Sequence, residues 1–295
     1  MKKSEIPGNV FPTAEEDVGA SKLMSDTPQT RSESYRLAYS DEDFLLRDEL
    51  RPVRLQLELL KPELLQQENA IISTIVIFGS ARIPDSETAV KRLKKAQSLA
   101  MSDPSDAVLA RKVDIAKSIL SKSHYYDEAR ELARLITLNS QQNDKCEHVV
   151  ITGGGPGIME AANRGANDVG GKSIGLNIVL PFEQQPNPYV TPELCFQFHY
   201  FAIRKMHFLK RARALIACPG GFGTLDELFE TLTLIQTKKI KPVPVLLLGS
   251  QYWRRVINFD ALVDEGTIGE SDLALFEYVD SAREALKVIN KFYER

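Results

Sequence analysis

The hydrophobic pattern of the chain changes at Ile71. From there on, short runs in which nearly every position is apolar alternate with longer segments whose apolar positions recur at helical spacing. Thr74–Phe78 (TIVIF), His148–Thr152 (HVVIT), Lys172–Leu180, Leu194–Phe198, Ala214–Cys218 (ALIAC) and Pro242–Leu248 predict strands. Ile158–Asn167, Phe201–Arg213, Leu225–Thr237, Tyr252–Val263 and Ser281–Tyr293 predict helices. Residues 86–142 are rich in Ala, Leu, Lys and Arg, are interrupted at Asp103-Pro104, and predict two or three helices where a simple crossover needs one. Strands that are apolar on both faces and alternate with helices imply a parallel sheet covered on both sides. The expected fold is therefore α/β, a doubly wound, Rossmann-like sheet over residues 71–295 with a helical insertion at 86–142.

Upstream of Ile71 the pattern is different. Residues 1–34 carry no period of 2 or 3.6, contain Pro7, Pro12 and Pro28, and predict a mobile tail. Residues 35–70 set leucines among paired charges, with Pro52 and Pro62 breaking the run. They predict a helical extension of two short helices, which either caps the chain's own core or meets another subunit.

Composition narrows the function classes. Thirty-seven Lys and Arg against forty Asp and Glu leave a net charge of −3, so no global attraction to nucleic acid or to an anionic membrane is expected. A hydrophobic fraction of 43% supplies a sizeable core and excludes disorder of the whole chain. The longest apolar run, Val243–Leu248, is strand-sized and too short to span a bilayer. Cys146, Cys195 and Cys218 are too scattered for a disulfide framework, and His124, His148, His199 and His207 are not spaced as ligands, so neither a metal nor a cofactor is expected. The N-terminal stretch lacks the apolar centre of a secretory signal, and the expected setting is cytoplasmic.

The candidate chemistry lies where strands end. Three of them run into small-residue loops followed by helices: GSAR at 79–82, GGGPG at 153–157 and PGGFGT at 219–224. Glycine lets the backbone approach a ligand closely, and the unpaired N–H groups of a helix start favour an anion. Three such loops on one sheet point to a phosphorylated ligand. The dinucleotide fingerprint G-x-G-x-x-G fails, because its third glycine would be Ile158 or Asp226. Ala166–Ser173 (ANDVGGKS) resembles a Walker loop but follows a helix and precedes a strand, the reverse of what that loop requires.

The most informative stretch is PGGFGTLDE, Pro219–Glu227. Thr224-x-x-Glu227 has the spacing of a capping box, so Glu227 is either a helix cap or a catalytic carboxylate. Arg204 and Lys205, with Arg211 and Arg213 beyond them, form a cationic segment before this loop. It is either a solvated basic face or one wall of an anion site.

These residues resemble the LONELY GUY family. PGGFGTLDE matches that family's PGGxGTxxE signature, GGGPGIMEAANRGA (153–166) its second glycine motif, and the Arg204-Lys205 pair stands at the family's distance before the signature. The resemblance covers residues 71–250. It implies a phosphoribohydrolase of cytokinin biosynthesis that releases the base from cytokinin nucleotides or AMP, as a homodimer or higher homo-oligomer. Members have also carried the label of lysine decarboxylase, yet no motif here specifies a lysine for pyridoxal phosphate. The leucine-rich N-terminal segment and the 86–142 insertion resemble the family's longer bacterial branch.

By the same resemblance Glu227 and Arg204 are catalytic, and Lys205 accompanies Arg204 at the ligand. Gly220, Gly221, Gly223 and Thr224 hold the 5′-phosphate, while Thr233 and Glu183 line the site. Ser80, Arg82, Gly154, Gly155 and Glu160 are its neighbours. Asp226 stands where the family often has Glu. Breaking a ribosyl C–N bond passes through an oxocarbenium-like state, which a carboxylate aimed at the sugar stabilises. The rival expectation is a carrier or sensor that binds a nucleotide without turnover.

Overall fold

The structure, a computed structural model, describes residues 11–141, 146–181 and 185–294. It divides into two compact units, the first ending at Leu57 and the second beginning at Glu58. The first unit contains α1 (Ala14–Ser21) and α2 (Glu42–Leu45). Helix α1 lies within the segment that shows no helical period. Its start is a reciprocal capping box, with Thr13 Oγ1 accepting from the Glu16 N–H (3.2 Å) and Glu16 Oε2 accepting from the Thr13 N–H (2.6 Å). None of its residues is buried, which is why no apolar period announces it.

Helix α3 (Arg51–Glu68) carries the division between the units. The segment is expected to form two short helices broken at its prolines; the structure has the short α2 and then one long helix that runs through both Pro52 and Pro62. Pro52 lies in the first turn, where its missing N–H costs nothing. Pro62 lies inside the helix and is buried, and it lacks the N–H that would have bonded the Glu58 carbonyl. That carbonyl instead accepts from His207 Nε2 at 3.2 Å, so the helix continues.

The rest of the second unit runs β1 (Thr74–Phe78), α4 (Ser86–Ser102), α5 (Ala107–Leu120), α6 (His124–Ser140), β2 (Val149–Thr152), α7 (Ile158–Asn167), β3 (Ser173–Ile178), β4 (Cys195–Phe198) and α8 (Phe201–Leu209). It continues β5 (Ala212–Ala217), α9 (Phe222–Gln236), β6 (Val245–Leu248), α10 (Ser250–Val256), α11 (Phe259–Asp264), β7 (Glu277–Val279) and α12 (Ala282–Tyr293). The strands form one parallel sheet in the order β4-β3-β2-β1-β5-β6-β7. The fold is doubly wound α/β, as the sequence predicts.

Local boundaries differ where charge or glycine misleads. β7 escapes the sequence reading because it has three residues and only Val279 is buried. Helix α8 ends at Leu209, and the charged stretch after it enters β5. Helix α9 begins at Phe222 and takes Gly223 into its first turn, three residues before the expected start. Asn258 caps α11 by accepting from the Ala261 N–H, which splits the expected helix over 252–263 in two.

Alternation along each strand builds two cores. Ile75, Ile77, Val150 and Ile216 face α6, α7 and α12 through Leu132, Ala161 and Ala285. Val76, Phe78, Ile151 and Leu215 face the opposite layer through Phe208, Leu228 and Trp253. The two faces of β1 therefore lie in different cores, and its carboxyl end is held from both sides. Among the described residues no helix is long and apolar enough to cross a membrane.

Candidate active site

The sheet order reverses beside β1. The chain proceeds outward through β2, β3 and β4, then returns to place β5 on the other side of β1. Ligands of such sheets bind at this switch point, beyond the carboxyl ends of the strands. The three glycine loops meet there. Ser80 N–H donates to the Pro219 carbonyl (3.0 Å), and Ser80 O accepts from the Ile158 N–H (3.2 Å), so the first loop is stitched to both others. Gly157, at φ 71°, passes so close that a Cβ would lie 2.4 Å from Ser80 O.

The second loop is fixed by a buried polar network. Thr152 Oγ1 donates to Asn163 Oδ1 (2.8 Å) and accepts from the Gly154 N–H (2.9 Å). Asn187 Nδ2 donates to Gly154 O (3.1 Å), Gly155 O (3.0 Å) and Asn163 Oδ1 (2.9 Å). Thr152, Asn163 and Asn187 are all buried, so the loop conformation is set from beneath by satisfied groups. Sequence reasoning singles out none of the three, because their partners are non-local.

The third loop opens α9 without a side-chain cap, since its N-cap is Gly221. Thr224 is inside the first turn, and its side chain packs over Gly220, where a Cβ would lie 2.1 Å from Thr224 Oγ1. Nothing stands within 4 Å of the Cβ positions of Gly221 and Gly223, so the helix start borders open space. Tyr252 Oη donates to Gly220 O (2.5 Å) and ties the loop to α10. The capping-box reading of Thr224 and Glu227 does not describe this helix.

Glu227, one turn further along α9, is only 7% exposed. Among the described residues its carboxylate accepts no hydrogen bond. Burial pushes its carboxyl up to about 7, against the pull of Lys205 and Arg204. Arg204, on α8, reaches across to donate from Nε to Leu176 O (2.8 Å). Its guanidinium lies over the Phe208 and Phe201 rings at 5.2 and 5.7 Å and against Gly153, whose Cβ would be 2.9 Å from Nη2. Burial lowers the Arg204 pKa and the charge of Glu227 opposes that shift, yet the two side chains form no ion pair. Lys205 Nζ is held by Asp226 (3.0 Å) and Glu230 (2.8 Å), the acids flanking Glu227 on α9.

The remaining candidates divide. Gly154 and Gly155 belong to the Asn187 network, and Ser80 joins the loops, with Arg82 exposed beside it donating its N–H to Ser80 Oγ (3.1 Å). Glu160 accepts from Tyr126 Oη (2.9 Å) on α6, and burial above all raises that phenol to about 12. Thr233 is exposed on α9, along a surface cleft with Phe222, Asp226 and Phe229 that Glu227 does not line. Glu183 lies outside the described residues.

Known proteins match this chain. The family model described as "Possible lysine decarboxylase" matches residues 159–289. The cytokinin riboside 5′-monophosphate phosphoribohydrolase LOG3 of Arabidopsis thaliana is 30% identical over 175 residues, 58% of this chain and 77% of that protein. LOG1 of the same plant is 31% identical over 181 residues, covering 59% and 79%. Among solved structures, the Moco carrier protein from Chlamydomonas reinhardtii aligns with a TM-score of 0.40 at 22% identity, over 58% of this chain and 89% of that one.

Proposed function

Because this chain belongs to the LONELY GUY family, we propose that it hydrolyses the N-glycosidic bond of a nucleoside 5′-monophosphate, AMP or a cytokinin riboside 5′-monophosphate, to free base and ribose 5-phosphate. The observation that carries the proposal is Glu227: a buried, raised carboxyl with no hydrogen-bond partner among the described residues, beside two cations where three glycine loops meet.

The open start of α9 at Gly221 and Gly223 receives the 5′-phosphate on unpaired N–H groups and the positive end of the helix. This anchors the ribose with its anomeric carbon toward Glu227. As the C–N bond breaks, its electron pair leaves with the base, which takes up a proton. The ionised carboxylate stabilises the positive charge that develops on the sugar, orients a water whose oxygen bonds to the anomeric carbon and accepts the proton that water gives up, which balances the proton gained by the base. Arg204 contributes a fixed charge beside the second loop.

A lysine decarboxylase would need a lysine free to hold its cofactor. The lysine at this site, Lys205, is engaged by Asp226 and Glu230. Cytoplasmic residence and a homodimer belong to the same proposal. For the latter, Phe222 is 92% exposed and Phe229 38% exposed on α9, an apolar stripe beside the site. The decisive experiment is incubation of the purified protein with AMP. Free adenine and ribose 5-phosphate are expected, whereas tight binding without release would make the protein a carrier or sensor.

A further inference from the structure

Helix α8, which carries Arg204 and Lys205, is gripped at both ends by Glu58 and Glu63 of α3. At its start, the Glu58 carboxylate accepts from the backbone N–H groups of His199 (2.8 Å) and Tyr200 (3.1 Å). These amides precede the first turn, where no carbonyl of α8 can serve them and no α8 side chain caps them. The Glu58 carbonyl, freed by Pro62, accepts from His207 Nε2 two turns along. Beyond the last turn, Glu63 accepts from both Nη atoms of Arg211 (2.6 Å each) and pairs with Lys210 (2.8 Å). A negative group at the start of a helix and cations after its end both complement the helix dipole.

We propose that Glu58 is a positioning residue of the active site: by capping α8 with its carboxylate and holding His207 with its carbonyl, it sets the height and rotation of the helix from which Arg204 reaches Leu176 and Lys205 reaches Asp226 and Glu230. Arg204 and Lys205 are successive residues on one short helix, so a shift of its axis moves both together. The charge balance around Glu227 therefore depends on a residue from a helix that contributes nothing to the three loops. The inference rests on the reading of Glu227 and Arg204 as the catalytic pair.

The test compares Glu58→Ala and Glu58→Gln with the parent full-length protein, using adenine release from AMP across pH. Glu58→Ala is expected to lower kcat at least ~10-fold, with a smaller change in KM, because the phosphate loop is untouched while the cations move. The ascending limb of kcat/KM is expected to move to higher pH, since Arg204 and Lys205 both hold the Glu227 carboxyl down. Glu58→Gln keeps one acceptor of the right length and is expected to fall between the two. It also decides the matter if the alanine variant does not fold. An unchanged kcat and an unchanged limb would overturn the proposal, because a merely structural loss lowers stability without moving that limb. If the parent protein releases no adenine, the functional reading fails. The Arg204 Nε–H resonance, assigned by its loss in Arg204→Lys, then decides this one. Faster solvent exchange of that proton in the Glu58 variants supports the proposal, and unchanged exchange overturns it.

Discussion

His207 supplies to α3 the hydrogen bond that Pro62 cannot. The proline leaves the Glu58 carbonyl without its helical donor, and the imidazole Nε2 fills the place at 3.2 Å. His207 is 3% exposed and its Nδ1 has no partner among the described residues, so the ring is held as the Nε2–H tautomer. Burial lowers its pKa, consistent with a neutral ring. His207→Phe is expected to cost about 1–3 kcal/mol by leaving that carbonyl unsatisfied. In a Pro62→Ala background the cost should shrink, because the new N–H can take the carbonyl within the helix. Urea unfolding of the two single variants and the double variant measures this coupling.

Glu227→Gln keeps the size of the side chain and removes its charge. Turnover of AMP should fall by at least ~100-fold, while the fold is retained. Steady-state kinetics on the purified variant checks this, and activity near that of the parent would remove Glu227 from the mechanism.

The pH dependence follows from the same carboxyl. Its folded pKa of about 7 lies above the ordinary 4.5, so the stability linked to it is full below pH 4.5 and is lost as pH rises through about 7. Glutamine never ionises. The variant should therefore be more stable than the parent at pH 8, by about 3 kcal/mol, and close to it at pH 4.5. Catalysis has the opposite slope, with kcat/KM rising as the carboxylate forms near pH 7. Denaturant midpoints and pH–rate profiles of both proteins measure the two trends.

Arg204 and Arg211 should separate function from stability. Arg204→Ala removes the charge beside Gly153 and is expected to impair turnover more than Arg211→Ala. The second substitution leaves Glu63, whose side chain is 14% exposed, with Lys210 as its one remaining ion-pair partner among the described residues. Arg211→Ala should cost about 1.5–3 kcal/mol, the worth of a hydrogen bond to a charged group. The hydrogen bond from Arg211 is the main force holding the Glu63 carboxyl down to about 2. That stabilisation is present above pH 4.5 and fades as pH falls toward 2, so the variant should differ least from the parent in acid. Thermal melts at pH 7 and pH 3, with kcat measured at pH 7, distinguish the roles.

The substrate should be a monophosphate. A neutral 5′-hydroxyl gains little from the unpaired N–H groups and positive end of α9, and losing two charge-assisted hydrogen bonds should cost at least ~100-fold in kcat/KM. Adenine release from AMP and adenosine at matched concentrations tests this. Equal cleavage of both would return the glycines to tight turns.

Six strands were legible because their residues are apolar on both faces, and β7 was not, because it offers a single buried residue. The glycines that mark the third loop also hid where α9 starts, since Gly223 is helical. Within the candidate site, Glu227 and Arg204 sit in motifs whose spacing can be read directly. Glu58, Asn187 and Tyr252 do not. Each acts through a hydrogen bond to another element, and one polar residue in a helix or loop carries no local sign of its distant partner. Pro62 looks like a helix break in the sequence for the same reason: its rescue comes from His207, far along the chain.

The position of β1 has a consequence for synthesis. Thr74 pairs with Val149 on one side and with Ala212 on the other, so the strand at the centre of the sheet waits for a neighbour made much later. The first and second glycine loops can meet once β2 and α7 have left the ribosome, but Ser80 finds Pro219 only after β5 has emerged. Pairing across such a sequence distance is slow and leaves an apolar strand edge exposed in the meantime. A nascent chain stalled before Ala212 would therefore carry two assembled loops, an unpaired β1 edge and no binding site, a species suited to capture by a chaperone.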